Sequence, residues 1–131
     1  MKKPSLDEWL AEAKNDKDAA KVGMYLTHNG VVREVPRAVV REGAEHDHKV
    51  IKMDFSYDGN LVQKYVEETK KQPGIYYVRV WINEGQLDVG EDLMYILIGG
   101  DIRPHVMTSM NFLIDHIKGE CVIEKELTEV F

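Results

Sequence analysis

An arginine and a lysine fall at element boundaries, with a second lysine in the strand-like segment that follows, where fixed cations could meet an anion. The segment Gly99-Gly100-Asp101-Ile102-Arg103-Pro104 joins an apolar run to a helical pattern. A helix start leaves amide N–H groups unpaired and favours anions, which would let Arg103 hold a phosphate there. A tight turn with a surface arginine explains the same residues. Lys118 falls in the last turn of that helical pattern, where the dipole favours a cation, and Lys125 follows in the next strand-like segment. The two lysines either converge on an anion or stand as a helix-terminal cation and a solvated strand lysine.

Other groupings support less chemistry. His46-Asp47-His48 lacks a third ligand at a recognised zinc spacing and reads as a solvated loop, so no metal site is expected. Cys121 has no partner nearby in sequence, and His105 and His116 offer no defined base for it, so Cys121 reads as a core residue. Val106, Met107, Met110 and Ile114 repeat at helical spacing and are better explained by packing than by a cofactor pocket. No Walker loop, dinucleotide fingerprint or nucleophile elbow is present, and no cofactor is expected.

The chain's 131 residues suit a single domain spanning residues 1–131, with 44% hydrophobic and 31% charged residues marking an ordinary folded protein. Seventeen Lys+Arg against 23 Asp+Glu give a net charge of -6, the wrong sign for holding nucleic acid over a broad surface. Any anion site must be a local basic cluster. One cysteine and no apolar leader fit a reducing, cytoplasmic setting, and no run approaches the roughly 20 apolar residues of a membrane span.

The elements that must position these residues follow from patterning. Ser5 and Glu8 form a capping box ahead of Leu6, Trp9, Leu10 and Ala13, predicting a helix over 6–14 packed by its Trp9 face. A strand is expected from Val22 to Arg33 with a bulge or turn at Asn29-Gly30, then a short strand at Ala38-Val39-Val40 and an exposed loop over 42–48. Lys49 to Tyr57 reads as a strand. A helix beginning at Asp58-Gly59-Asn60 carries the stripe Leu61, Val62, Tyr65 and Val66 and stops at Gln72-Pro73-Gly74. Ile75 to Ile82 is strand, Gln86 to Val89 a short segment, and Asp92 to Ile98 the most apolar strand, central in its sheet and broken by Gly99-Gly100. Val106, Met110, Leu113 and Ile117 stripe a helix from Pro104 to Lys118 that Gly119 closes, and a strand-like tail runs from Cys121. The order predicts an α+β fold with a mixed, largely antiparallel sheet and about three helices.

Taken in order, Gly23-Met24-Tyr25-Leu26-Thr27-His28-Asn29-Gly30-Val31-Val32-Arg33, Gly85-Gln86-Leu87-Asp88-Val89-Gly90-Glu91 and Ile114-Asp115-His116-Ile117-Lys118 resemble the large, catalytic subunit of molybdopterin synthase, the MoaE-type family. The resemblance runs from Trp9-Leu10 to Glu126 and implies an α/β-hammerhead-like fold. It further implies a sulfurtransferase that converts cyclic pyranopterin monophosphate to molybdopterin, taking sulfur from the C-terminal Gly-Gly thiocarboxylate of a small ubiquitin-like subunit. Two large subunits would form a homodimer within a heterotetramer. By the same resemblance, Arg33 and Arg103 would bind the substrate's phosphate and pterin side. Lys118 would stand beside the thiocarboxylate as the catalytic amine, assisted by Lys125.

The chain departs from the family pattern at Ile102, where a histidine is usual, at Val122-Ile123-Glu124, where Pro-aromatic-Trp is usual, and at His28, where an aromatic is common. His105, three positions past Ile102, is a candidate replacement imidazole. These departures motivate an alternative: a non-catalytic homologue that keeps dimer or partner binding without sulfur transfer. A small α+β ligand-binding module without activity is the remaining reading.

Overall fold

A computed structural model describes residues 3–37, 39, 43 and 48–130. Among them run α1 (Leu6–Ala13), β1 (Met24–Val31), β2 (His48–Tyr57), α2 (Gly59–Lys70), β3 (Ile75–Ile82), β4 (Gly85–Asp88), β5 (Asp92–Gly100), α3 (Arg103–His116) and β6 (Val122–Val130). A 3-10 turn at Ala19–Lys21 precedes β1, and a π-helical turn, Ile117–Cys121, joins α3 to β6. The class is α+β as expected, and the strands divide into two antiparallel three-stranded sheets, β1-β5-β3 and β4-β2-β6.

β5 is the middle strand of the first sheet because its side chains are apolar in both directions. Met94, Ile96 and Ile98 enter the main core, while Tyr95 and Leu97 enter a second cluster with Trp9, Ala13 and Trp81. Alternation along a strand requires that division, and a strand covered on both faces needs no polar side. α1 forms the cover on the second face. Ser5 Oγ accepts from the Glu8 amide to start it, Trp9 meets Tyr95 edge-on, and the Arg79 guanidinium lies over the Trp9 ring.

The main core fills the space between both sheets and the helices α2 and α3. Val106, Met110, Leu113 and Ile117 are all buried, as their spacing predicts, and Ser109 satisfies its buried hydroxyl by donating to Gln72 Oε1. Asp58 caps α2 through the amides of Asn60 and Leu61, and Val62, Tyr65 and Val66 bury the stripe. Side chains of this size each contribute roughly 1.5–3 kcal/mol when fully removed from water.

Four local expectations change. β5 does not break at its glycines but runs through them to Gly100, paired with Met24 on one side and Ile75 on the other. A Cβ at Gly99 would lie 2.7 Å from the Tyr25 ring, so the cross-strand tyrosine needs a bare backbone there. Gly119 does not close α3; the helix ends at His116 and widens into the π turn, which keeps both Ile117 and Cys121 buried. Val39 is not extended: its N–H donates to Pro36 O at 3.0 Å and its carbonyl accepts from Gly43, a helical bonding pattern. Ala38 and Val40 lie outside the described residues, as do Glu42 and residues 44–47 of the expected loop; His48 opens β2.

Candidate functional site

The register of β1 against β5 slips between Gly30 and Val31, where the strand leaves the sheet. Val32 is then held by two backbone bonds, its N–H to Glu91 O and its carbonyl from the Gly90 N–H. With Val32 buried, Arg33 turns outward and donates from Nε to Val35 O at 3.2 Å. Across from it, the π turn presents Lys118 between the buried anchors Ile117 and Cys121. Arg33 and Lys118 thereby line one cavity of about 280 Å³, together with His28, Arg37, Glu124 and Glu126, over apolar Met53 and Leu93.

The turn that carries Lys118 is clamped by side chains. Tyr65 of α2 donates to one carboxylate oxygen of Glu120 at 2.8 Å, and His116 Nδ1 lies 2.5 Å from the other. The His116 and Tyr65 rings stack with centroids 4.3 Å apart. The bond from His116, and then that from Tyr65, hold the Glu120 carboxyl below its ordinary range. Reciprocally, the bond to Glu120 and then burial push the Tyr65 phenol up to about 12. π-helical turns recur at functional positions.

Within the cavity, three cations face two carboxylates, a net charge of +1. Glu126 accepts from the Arg37 amide at 3.1 Å, and the Arg37 guanidinium lies 4.0 Å from Glu124. Burial first, and the nearby Lys118 charge second, lower the proton affinity of His28, which is therefore a neutral imidazole at pH 7. Burial, with the Glu120 and Asp58 charges, raises the Cys121 thiol, so it is protonated and inert in the core, the role its isolation suggests.

The four cations singled out from sequence do not share this cavity within one chain. Lys125 lines a separate apolar groove with Asp54, Phe55, Ser56 and Ile123, on the opposite face of β6 from Glu124 and Glu126. Arg103 is exposed at the first position of α3 and lines none of the cavities described. Lys118 follows the other end of the same helix, roughly 20 Å away at 1.5 Å rise per residue. His105 does not turn towards the cavity lysine: its Nδ1 sits 2.7 Å from Asp101, which also accepts the Ile102 N–H. Arg37 and Glu126 were not singled out as site residues, and Glu124 only as a pocket position that departs from the family pattern. The period-2 alternation of β6 was the available signal for the glutamates; Arg37 had none.

Among the described residues, no three His, Cys, Asp or Glu side chains cluster as a metal would require, and no helix is long and apolar enough to cross a membrane.

The fold is shared with solved structures of low sequence identity. Molybdopterin synthase from Staphylococcus aureus superposes with a TM-score of 0.72 at 17% identity, covering 97% of this chain and 88% of that one. Molybdopterin cofactor biosynthesis protein E from Burkholderia multivorans gives 0.72 at 16% identity, covering 99% and 82%. A chain from the complex of subunits 1 and 2 of the molybdopterin-converting factor of Helicobacter pylori gives 0.65 at 16%, covering 95% and 79%. No curated protein matches the chain in sequence. The sequence matches the MoaE protein family over residues 2–120, the span that contains β1, the cavity's arginines and Lys118, and the chain belongs to that family.

Proposed function

We propose that this chain, as one domain over residues 1–131, is the catalytic subunit of molybdopterin synthase. Family membership supports a role in molybdopterin biosynthesis, and the observation that carries the finer reading is the meeting of Arg33 and Lys118 at one cavity. In this reading a small ubiquitin-like partner inserts its C-terminal Gly-Gly thiocarboxylate, and sulfur passes to cyclic pyranopterin monophosphate to build the dithiolene. The Helicobacter pylori complex of two subunits supports a small partner. A cytoplasmic setting suits the thiol chemistry.

The residues divide the work by their chemistry. Arg33 offers a permanent, planar fork for a phosphate or pterin oxygen, and Arg103 would add a second from outside this chain's cavity. Once the thiocarboxylate sulfur is bonded to the substrate, water adds to the acyl carbon, Lys118 donates to the acyl oxygen and stabilises the charge that develops there, and the carbon–sulfur bond then breaks to leave sulfur on the substrate and the partner's tail as a carboxylate. Lys125, in its own groove, assists at the partner's tail. Burying anionic guests without such partners would cost several kcal/mol each, which is why the cavity needs fixed cations.

Glu124 and Glu126 on the cavity wall favour a second reading, a non-catalytic homologue that retains the dimer or the partner. Their charges are opposed to an anionic guest. Incubating the purified chain with thiocarboxylated partner and cyclic pyranopterin monophosphate separates the two. Dithiolene product supports the enzyme, and partner binding without product supports the homologue.

A further inference from the structure

The cavity contains a donor without an acceptor beside an acceptor without a donor. His28 lines it from β1, and its Nε2 is buried with no hydrogen-bond partner. An unmade bond at a buried ring nitrogen is a standing penalty that usually signals a missing partner. The nitrogen lies over the bare backbone of Gly30, where an added Cβ would come within 3.6 Å of it and would also meet the apolar Met94 and Leu93 side chains.

The charged groups that face the same space are Arg33, Arg37, Lys118, Glu124 and Glu126. Arg33 Nε is committed to Val35 O, and the Arg37 guanidinium is turned to Glu124 at 4.0 Å while its backbone N–H serves Glu126. Lys118 has no hydrogen bond or ion pair among the described residues, and its charge is felt by His28. An ammonium has three donors and a flexible four-carbon stem, so swinging one N–H onto the imidazole leaves two for a guest.

We propose that His28 is the positioning residue for Lys118, its Nε2 accepting a hydrogen bond from the ammonium Nζ while Nδ1 carries the ring proton. The tether holds the charge at the cavity wall instead of in solvent. It rests on the reading above that the cavity receives an anionic guest at Lys118.

Long-range proton–nitrogen NMR of the full-length chain near neutral pH reads the tether directly. The expected result is an Nδ1–H imidazole in the unmodified protein, converting towards the Nε2–H form in Lys118→Met, a change at an exposed side chain that spares the core. A His28 tautomer indifferent to Lys118→Met overturns the proposal. In a second arm, His28→Phe should change the rate of Lys118 acylation by an amine-directed reagent several-fold, and His28→Gln, which keeps an acceptor, should restore it. Equal rates in all three proteins overturn it as well. The two readings fail separately: the tautomer response without dithiolene formation sinks only the sulfur-transfer reading, and dithiolene formation without the tautomer response sinks only the tether.

Discussion

Glu124 and Lys125 are consecutive on β6 yet serve different spaces, Glu124 the cavity of Arg33 and Lys118, Lys125 the apolar groove of Phe55 and Ile123. Pleating alone produces this, since successive side chains leave opposite faces of a sheet. Lys118→Ala should therefore slow sulfur transfer by ~10²-fold or more, the scale of a lost oxyanion donor. Lys125→Ala should slow it less. Single-turnover rates of both variants check the order, and a larger loss at Lys125 would reverse the roles.

Glu120 ties its own acidity to the turn that carries Lys118. Because its folded carboxyl is more acidic than in the unfolded chain, the stabilisation is present above the ordinary carboxylate range. It is lost as pH falls through the depressed value. Glu120→Gln should lower the melting temperature at neutral pH, with the gap from the unmodified protein closing as pH falls below the ordinary glutamate value of about 4.3. Melts across that range test it; a gap independent of pH would mean that the carboxylate's charge contributes nothing.

At the other end of the helix, space is the constraint. A Cβ at Gly100 would lie 2.6 Å from a Val106 methyl and 2.8 Å from the Gly74 carbonyl, and Gly74 holds a φ of +76° that bars most replacements. Gly100→Ala should cost about 1–3 kcal/mol, the usual range for overpacking. Denaturant unfolding measures it, and an unchanged midpoint would show that the β5–α3 corner yields.

Leu113 is fully buried at the centre of the α3 stripe. Leu113→Ala should cost roughly 2–5 kcal/mol, transfer and cavity terms together. Chemical denaturation again reads the loss, and a loss below that range would mean the two sheets collapse onto the gap.

Local patterns made most of the elements legible. β3 occupies the predicted residues Ile75–Ile82, and α1 begins at the capping box because Ser5 Oγ meets the Glu8 amide. Glycine was misleading where tertiary packing overrode it. Gly99 and Gly100 stay in β5 because Tyr25, Tyr77, Val106 and Gly74 crowd them, and Gly119 sits in a turn widened by the burial of Ile117 and Cys121. The cavity was only partly legible. Arg33 was named from a resemblance and Lys118 first from its place at a helix end, but their meeting depends on the slip at Gly30/Val31 and on the turn after α3, which no local spacing encodes. Arg37 reaches the cavity through contacts with β6, distant in sequence, and so left no local mark.

α3 also acts as a ruler. Arg103 begins it and Lys118 lies just beyond its end, so the rod sets their backbone positions roughly 20 Å apart. On the proposed reading, a small guest that needed both charges would take one of them from a neighbouring copy of the chain. Activity that depended on both would then fade on dilution as subunits part, and mixing two inactive variants, one lacking each charge, would regenerate half-competent assemblies.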